Sequence, residues 1–303
     1  MGSTARTRTR AQARTAGQAR SPRQKLAERQ AAERRAGVRR RLLLAGGSVA
    51  VVLALVATLI VVKLTQSPPR SAPPASAHTT AQVQQQVTSV PSATFNAVGA
   101  GSATGLTTIT GQPALTLDGK PEVLYIGGEY CPYCAAERWA IAAAVSRFGT
   151  LSGLSLIHSS PTDVYANTPT LSFAKASYTS KYLSFVPVEW FGEATDPSSA
   201  FGHVYLQHPT TQEQALFAKY GGSLPFLDIG NRYLLPQVQY IPSALAGLTW
   251  TQIAAAMRDP SSPIAKDIDG AANIITAAIC TLTNGQPAGV CHSAGVQAAA
   301  GSI

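Results

Sequence analysis

The first 41 residues of this 303-residue chain almost lack large apolar side chains and are rich in Ala, Arg, Gln and Thr. A segment of this composition cannot bury enough surface to offset the conformational entropy that ordering would cost. We therefore predict that residues 1–41 form a disordered tail that takes no part in a folded core.

Acidic residues are also scarce in this tail. Residues 1–41 contain 13 Lys and Arg but only Glu28 and Glu33, so the net charge of +9 describes the tail and not the rest of the chain, whose net charge is −2. A basic run such as residues 39–41 could bind nucleic acid or attract anionic lipid headgroups. The segment that follows it favours lipid, and no nucleic-acid partner is predicted.

Residues 42–62 contain no charged side chain. A helix of this length spans roughly 31 Å, the thickness of a bilayer's hydrocarbon core. Because three Arg directly precede the segment, the positive-inside rule places the N-terminus in the cytoplasm and later residues outside. A cleaved signal peptide fits less well, since the apolar run is too long. We predict a signal-anchor and a single-pass cell-membrane protein with an extracytoplasmic C-terminal domain.

A stretch with few large side chains follows the apolar segment. Pro and Ser recur at residues 66–77, which favours extended, semi-stiff chain, so residues 63–95 are predicted to be a linker. Aromatic and branched residues recur from about residue 96. Residues 96–303 are numerous enough for one domain with a sizeable core, and the sequence contains no internal repeat.

Local patterns predict the main elements of this domain. Residues 123–126 form a short apolar run before Gly127 and Gly128, typical of a buried strand. Gly230-Asn231 separates two strand-like runs and predicts a hairpin. Further predictions are a hairpin over 106–117, strands at 154–158 and within 171–191, and helices over 135–148, 211–220, 249–258 and 264–280.

Only four cysteines are present, and two of them, Cys131 and Cys134, enclose Pro132 and Tyr133 in a CPYC motif. The motif lies between the predicted strand and helix, so the first cysteine would stand at a helix N-terminus. Unpaired N–H groups and the helix dipole there stabilise a thiolate. We predict a redox-active centre in which Cys131 is the exposed nucleophile and Cys134 the resolving thiol.

A second close pair of Cys or His ligands, which a structural zinc site usually needs, is lacking. The remaining cysteines, Cys280 and Cys291, have ten residues between them, although His292 adjoins the second. No metal and no cofactor are therefore predicted. A disulfide between Cys280 and Cys291 would contribute roughly 3 kcal/mol in the chain-entropy model. The alternative is a second redox pair that passes electrons to the CPYC motif.

Five further positions are candidate site residues. In thioredoxin-like proteins a cis proline packs against the cysteine pair and the preceding residue pairs with substrate backbone; here these positions map onto Leu224 and Pro225. Tyr130 and Tyr133, which flank the cysteines, are candidates for an apolar rim that binds peptide. Glu129 could raise the thiol pKa or accept a proton during resolution, unless it is a solvated loop acid.

The segment from Tyr125 to Trp139 resembles the active-site segment of an uncharacterised thioredoxin-like "domain of unknown function" family of actinobacteria and archaea, often membrane anchored. Residues 225–231 and the region of Cys280 and Cys291 are similar to that family as well. The resemblance implies an α/β, thioredoxin-like fold with an inserted region at about 160–220 and extra C-terminal helices, here preceded by one transmembrane helix.

These observations predict a membrane-anchored, extracytoplasmic thiol–disulfide oxidoreductase. Its expected partners are protein thiols or disulfides of secreted or cell-surface proteins, the lipid bilayer, and a membrane redox partner. Oxidation or isomerisation is the expected direction outside the cytoplasm. The alternative is a thioredoxin-like envelope binding or scaffold protein without catalysis.

Overall fold

The computed structural model describes residues 75–199 and 201–303. The predicted tail, the predicted transmembrane segment at 42–62 and the linker up to residue 74 lie outside the described residues. Within the described ranges, no helix combines the length and apolar character needed to cross a bilayer.

The described chain alternates helices and strands. In order, the elements are α1 (Ala77–Thr88), α2 (Ser92–Val98), β1 (Thr107–Thr108), β2 (Thr116–Leu117), β3 (Lys120–Gly128), α3 (Pro132–Val145), β4 (Thr150–Ser152), β5 (Ser155–His158), β6 (Pro169–Ser172), β7 (Ser177–Thr179), β8 (Ser184–Thr195), β9 (His203–Tyr205), α4 (Thr211–Lys219), β10 (Phe226–Ile229), β11 (Tyr233–Leu234), α5 (Trp250–Ala256), α6 (Pro263–Leu282), α7 (Ala288–Cys291) and α8 (Ala294–Ala299). Short 3-10 helices cover Pro242–Leu245 and Ala300–Ser302.

A mixed seven-stranded sheet forms the centre of the domain. Its strand order is β1-β11-β10-β3-β8-β9, with β2 paired to β3 off this path. Strands β3 and β8 run parallel, while β10 pairs antiparallel with β3 on the other side. Two separate hairpin-like pairs, β4 with β7 and β5 with β6, lie in the chain between α3 and β8. The domain is therefore an α/β fold built around β3.

Strand β3 is buried on both faces. Val123 and Tyr125 point into the larger hydrophobic core, and Leu124 and Ile126 into a smaller cluster on the other side. Alternate residues of a strand face opposite sides of its sheet. The continuous apolar run in the sequence is thus explained by packing on both sides.

The larger core contains the contact between helices α3 and α6. Six of the 14 residues of α3 are alanine, and the four consecutive side chains from Ala142 to Val145 are at most 2% exposed. Helix α6 contributes Ala271 and Ala272 to the same core. Such small side chains let two helix backbones approach closely, so α3, which follows the cysteine loop, is held along its whole length.

The predicted linker is wrong for residues 77–95. Ser76 caps α1, and the side chains of Val83 and Val87 are buried in the larger core together with Phe95 of α2. The two valines are one helical turn apart and so share a face. The surrounding Gln, Thr and Ser residues obscured this helical spacing in the sequence. The folded domain therefore begins near residue 77.

Of three other local predictions, one is confirmed and two are wrong. The β10–β11 hairpin is confirmed, with Gly230 and Asn231 both at positive φ. The predicted hairpin over 106–117 is wrong, because β1 pairs with β11 and β2 pairs with β3. The predicted insertion at about 160–220 is wrong in its extent, since β8 lies inside that range and is a strand of the central sheet.

Candidate functional site

Cys131 is the N-cap residue of α3, as predicted. Its backbone is extended (φ −77°, ψ 121°), and its Sγ accepts a hydrogen bond from the backbone N–H of Cys134 at 3.3 Å. Pro132 occupies the first helical turn, where a backbone N–H is not needed. The strand, the two-residue loop and the helix start therefore place the first sulfur on unpaired N–H groups.

The two cysteines are free thiols with opposite electrostatic environments. A hydrogen bond from the Cys134 thiol lowers the pKa of Cys131, aided by the backbone N–H groups of Cys134 and Tyr133 and by the charge of Arg138. Burial raises the pKa of Cys134 well above its usual value. The prediction of an exposed Cys131 is wrong, because this residue is only 6% exposed; Cys134 is fully buried. This asymmetry is what a nucleophilic and a resolving thiol require.

The structure brings Leu224, Pro225 and Tyr133 together. The Leu224–Pro225 peptide bond is cis, as predicted. Both residues line a cavity of about 910 Å³ whose wall also includes Tyr133 and residues 236–241. The cysteine loop, residues 129–131, connects β3 to α3. Gly128, which precedes this loop, lies close to Leu224: a Cβ added to Gly128 would be 3.6 Å from Leu224 Cδ1. The cis-proline loop thus adjoins the turn that leads to Cys131.

Glu129 is half-buried, and its side chain is hydrogen-bonded to a serine and not to a thiol. Its Oε1 accepts a hydrogen bond from Ser172 Oγ at 2.5 Å, and burial raises its pKa. The charged groups that act on this carboxyl are Arg138, Glu189 and Glu193. The raised pKa of Glu129 agrees with its predicted role as a proton acceptor, but its hydrogen bond is to Ser172 and not to a cysteine.

A buried ion pair beneath the cysteine loop had no predicted role. Arg138 and Glu189, both fully buried, are joined by Nε–Oε1 and Nη2–Oε2 contacts of 2.8 and 2.7 Å. Arg138 lies four residues after Cys134 on one helix, and that spacing was a usable signal. Glu189 lies 51 residues further along the chain, and no local pattern connects it to the site.

Glu137 is a further buried ionisable residue for which no role was predicted. Its Oε2 accepts a hydrogen bond from the backbone N–H of Gln239 at 3.1 Å, while Oε1 has no partner among the described residues. Burial raises the pKa of Glu137 to about 7. Two adjacent charged residues in an otherwise apolar helix are the signal that could have identified both Glu137 and Arg138.

The aromatic residues near the motif differ in exposure. Tyr133 is 38% exposed and packs edge-on against Tyr165 at 5.7 Å between ring centroids. Tyr130 stacks on His203 at 3.8 Å, a contact that no sequence pattern indicated. Tyr125 places its hydroxyl in the core with no hydrogen-bond partner in the described chain. Of the two tyrosines predicted to form an apolar rim, Tyr133 is therefore exposed, whereas Tyr130 is half-buried and stacked on His203.

The second cysteine pair is a disulfide, as predicted. Cys280 at the end of α6 and Cys291 at the end of α7 are joined by an S–S bond of 1.98 Å with a Cα–Cα distance of 5.5 Å. In the described residues, no three His, Cys, Asp or Glu side chains cluster closely enough to hold a metal ion.

Comparison with known proteins gives one result. Neither the curated proteins nor the solved structures contain a significant match to this chain. A family model described as "Domain of unknown function (DUF929)" matches residues 109–281, more than half of the chain. The matched span includes the CPYC motif, Pro225 and Cys280. The chain therefore belongs to the DUF929 family of domains of unknown function.

Proposed function

We propose that this protein is a thiol–disulfide oxidoreductase whose Cys131 and Cys134 cycle between dithiol and disulfide outside the cytoplasm. The observation that carries the proposal is the contrast between the two thiols. Cys131 caps α3 and its Sγ accepts a hydrogen bond from the backbone N–H of Cys134, whereas Cys134 is fully buried. The lowered pKa of Cys131 and the raised pKa of Cys134 agree with this geometry. A pair of structural cysteines has no need of such a contrast.

The reaction is an exchange of disulfide bonds. The Cys131 thiolate attacks one sulfur of a substrate disulfide, so that a Cys131–substrate bond forms and a substrate thiolate leaves. Cys134 then gives up its proton and attacks the Cys131 sulfur, which releases the second substrate thiol. Two electrons pass from the cysteine pair to the substrate, and the reverse sequence oxidises a substrate dithiol. A membrane redox partner would reset the pair.

The topology supports this chemistry. Strand β3, helix α3 and the parallel strand β8 are followed by the antiparallel β10–β11 hairpin and helix α6. The resulting order β11-β10-β3-β8, with the cysteines after β3, is similar to a thioredoxin fold. We therefore propose a thioredoxin-like fold in which residues 146–183 are the insertion.

The cavity beside the motif supports a polypeptide as substrate. Its lining includes Leu224, Pro225 and the amide of Gln237, and Asp267 carries the only charge among the lining residues. Backbone and amide groups bind extended chain irrespective of its charge. We propose secreted or cell-surface protein thiols as substrates, with residues 42–62 as the anchor that holds the domain at the membrane.

Cysteine substitutions test the proposal. Cys131→Ser should abolish disulfide exchange with a reduced or oxidised protein substrate, and Cys134→Ser should accumulate mixed disulfides through Cys131. The matched control is the double variant Cys280→Ser/Cys291→Ser, which should retain exchange. A wild-type protein with no exchange activity in either direction would refute the proposal and leave the non-catalytic scaffold as its replacement.

A further inference from the structure

We propose that Arg138 is a positioning residue for the redox pair, supplying a buried positive charge that stabilises thiolate at the CPYC motif, and that Glu189 partly offsets this charge. The inference rests on the proposed function. It concerns what sets the chemical character of the cysteines, which is a separate question from whether they exchange disulfides.

Arg138 is attached to both sides of the cysteine loop. It lies four residues after Cys134, on the same face of α3, and its Nη2 donates to the carbonyl oxygen of Gly128 at 2.8 Å. The backbone N–H of Cys131 donates to that same oxygen at 3.1 Å. The arginine therefore holds the turn from which Cys131 projects.

The partners of Arg138 bind only two of its three guanidinium nitrogens. Nε and Nη2 bind Glu189 and the Gly128 carbonyl, while Nη1 is buried with no partner among the described residues. A charged donor left unpaired in a low-dielectric interior favours any anion that forms nearby. The charge of Arg138 acts in this sense on both Cys131 and Cys134, since it lowers the pKa of each.

Glu189 is well placed to moderate this charge. It lies on β8, opposite Gly127 of β3, and its Oε1 also accepts a hydrogen bond from the backbone N–H of Phe173 at 3.1 Å. The guanidinium is therefore bonded directly to the turn that carries Cys131, whereas the carboxylate is bonded to the guanidinium and to the backbone at Phe173.

A cation that stabilises the thiolate stabilises the reduced form of the pair. The disulfide then becomes a stronger oxidant, because the reduction potential rises with the stability of the dithiol form. Arg138 would thus bias the protein toward oxidising its substrates, the direction expected outside the cytoplasm.

The test is a titration of the Cys131 thiol by ultraviolet thiolate absorbance in three variants. Arg138→Met should raise the pKa of Cys131 by about one unit, within the range that a single nearby charge produces. Glu189→Gln should lower that pKa by a smaller amount, and Arg138→Lys, which keeps the charge, should restore most of the wild-type value. The reduction potential should fall by about 30 mV for each tenfold loss of thiolate stability in Arg138→Met.

Opposite shifts from the two members of one ion pair distinguish electrostatic tuning from a structural role. A merely structural pair would shift the pKa in the same direction for both substitutions, and this result, or an unchanged pKa in Arg138→Met, would overturn the inference. If Arg138→Met does not fold, Glu189→Gln decides by the sign of its shift. The titration needs no activity, so a failure of the proposed function would leave its outcome readable.

Discussion

Replacing Val83 and Val87 together by Ala would remove four buried methyl groups from helix α1. The two side chains are 0% and 1% exposed and lie in the larger core. Each buried methyl contributes about 0.8 kcal/mol by transfer, and the unfilled space adds a further cost, so the loss should be about 4 kcal/mol. This is a large fraction of the roughly 5–15 kcal/mol that stabilises a typical domain.

Thermal unfolding of the purified protein would measure this effect. At about 2–4 °C for each kcal/mol in a domain of this size, the double variant should unfold about 10 °C below the wild type. Gln85→Ala is the matched control, because Gln85 is exposed on the same helix and its replacement should be nearly neutral. A double variant as stable as the control would mean that α1 does not pack on the domain, and that the fold begins near residue 96.

Two further predictions concern stability. Burial raises the pKa of Asp269 to about 8, and neither of its oxygens has a hydrogen-bond partner among the described residues. The folded state therefore retains a proton that the unfolded chain releases near pH 4, so the stabilisation is complete below about pH 4 and is lost as the pH rises toward 8, by up to about 1.4 kcal/mol per pH unit. Melting curves across this range should show a shallower decline for Asp269→Asn, and an unchanged slope would contradict the assignment. The Cys280→Ser/Cys291→Ser variant should lose about 3 kcal/mol in urea unfolding, because the bond closes a loop with a sequence separation of 11; loss of disulfide exchange in a folded variant would instead favour a second redox pair.

The parts of the fold that sequence could predict are those set by neighbouring residues. The start of α3 follows from Pro132 after a Gly-Gly turn, and the β10–β11 hairpin follows from Gly230-Asn231. In both cases a local backbone preference coincides with the tertiary structure. The position of Cys131 at a helix start could therefore be predicted from its neighbours, whereas the cis Leu224–Pro225 bond was predicted from the corresponding position in thioredoxin-like proteins.

The parts that sequence missed depend on contacts between distant residues. No sequence pattern around Glu189 indicates that its carboxylate binds Arg138. Likewise, no pattern around residue 186 shows whether this strand belongs to the central sheet or to an insertion. Strand β8 is assigned to the central sheet only by its parallel register with β3, for example Val186 opposite Leu124. Such pairings carry no signal in the periodicity of either strand alone.

The alanine-rich contact between α3 and α6 has a kinetic consequence for the proposed redox cycle. Alanine has no rotamers, so this side of α3 has no side-chain conformations to exchange when the sulfurs change oxidation state. We therefore expect the reorganisation that accompanies disulfide exchange to involve mainly the cysteine loop. Turnover should consequently be limited by how fast substrate chains arrive and depart, and rates measured at rising solvent viscosity would reveal that limit.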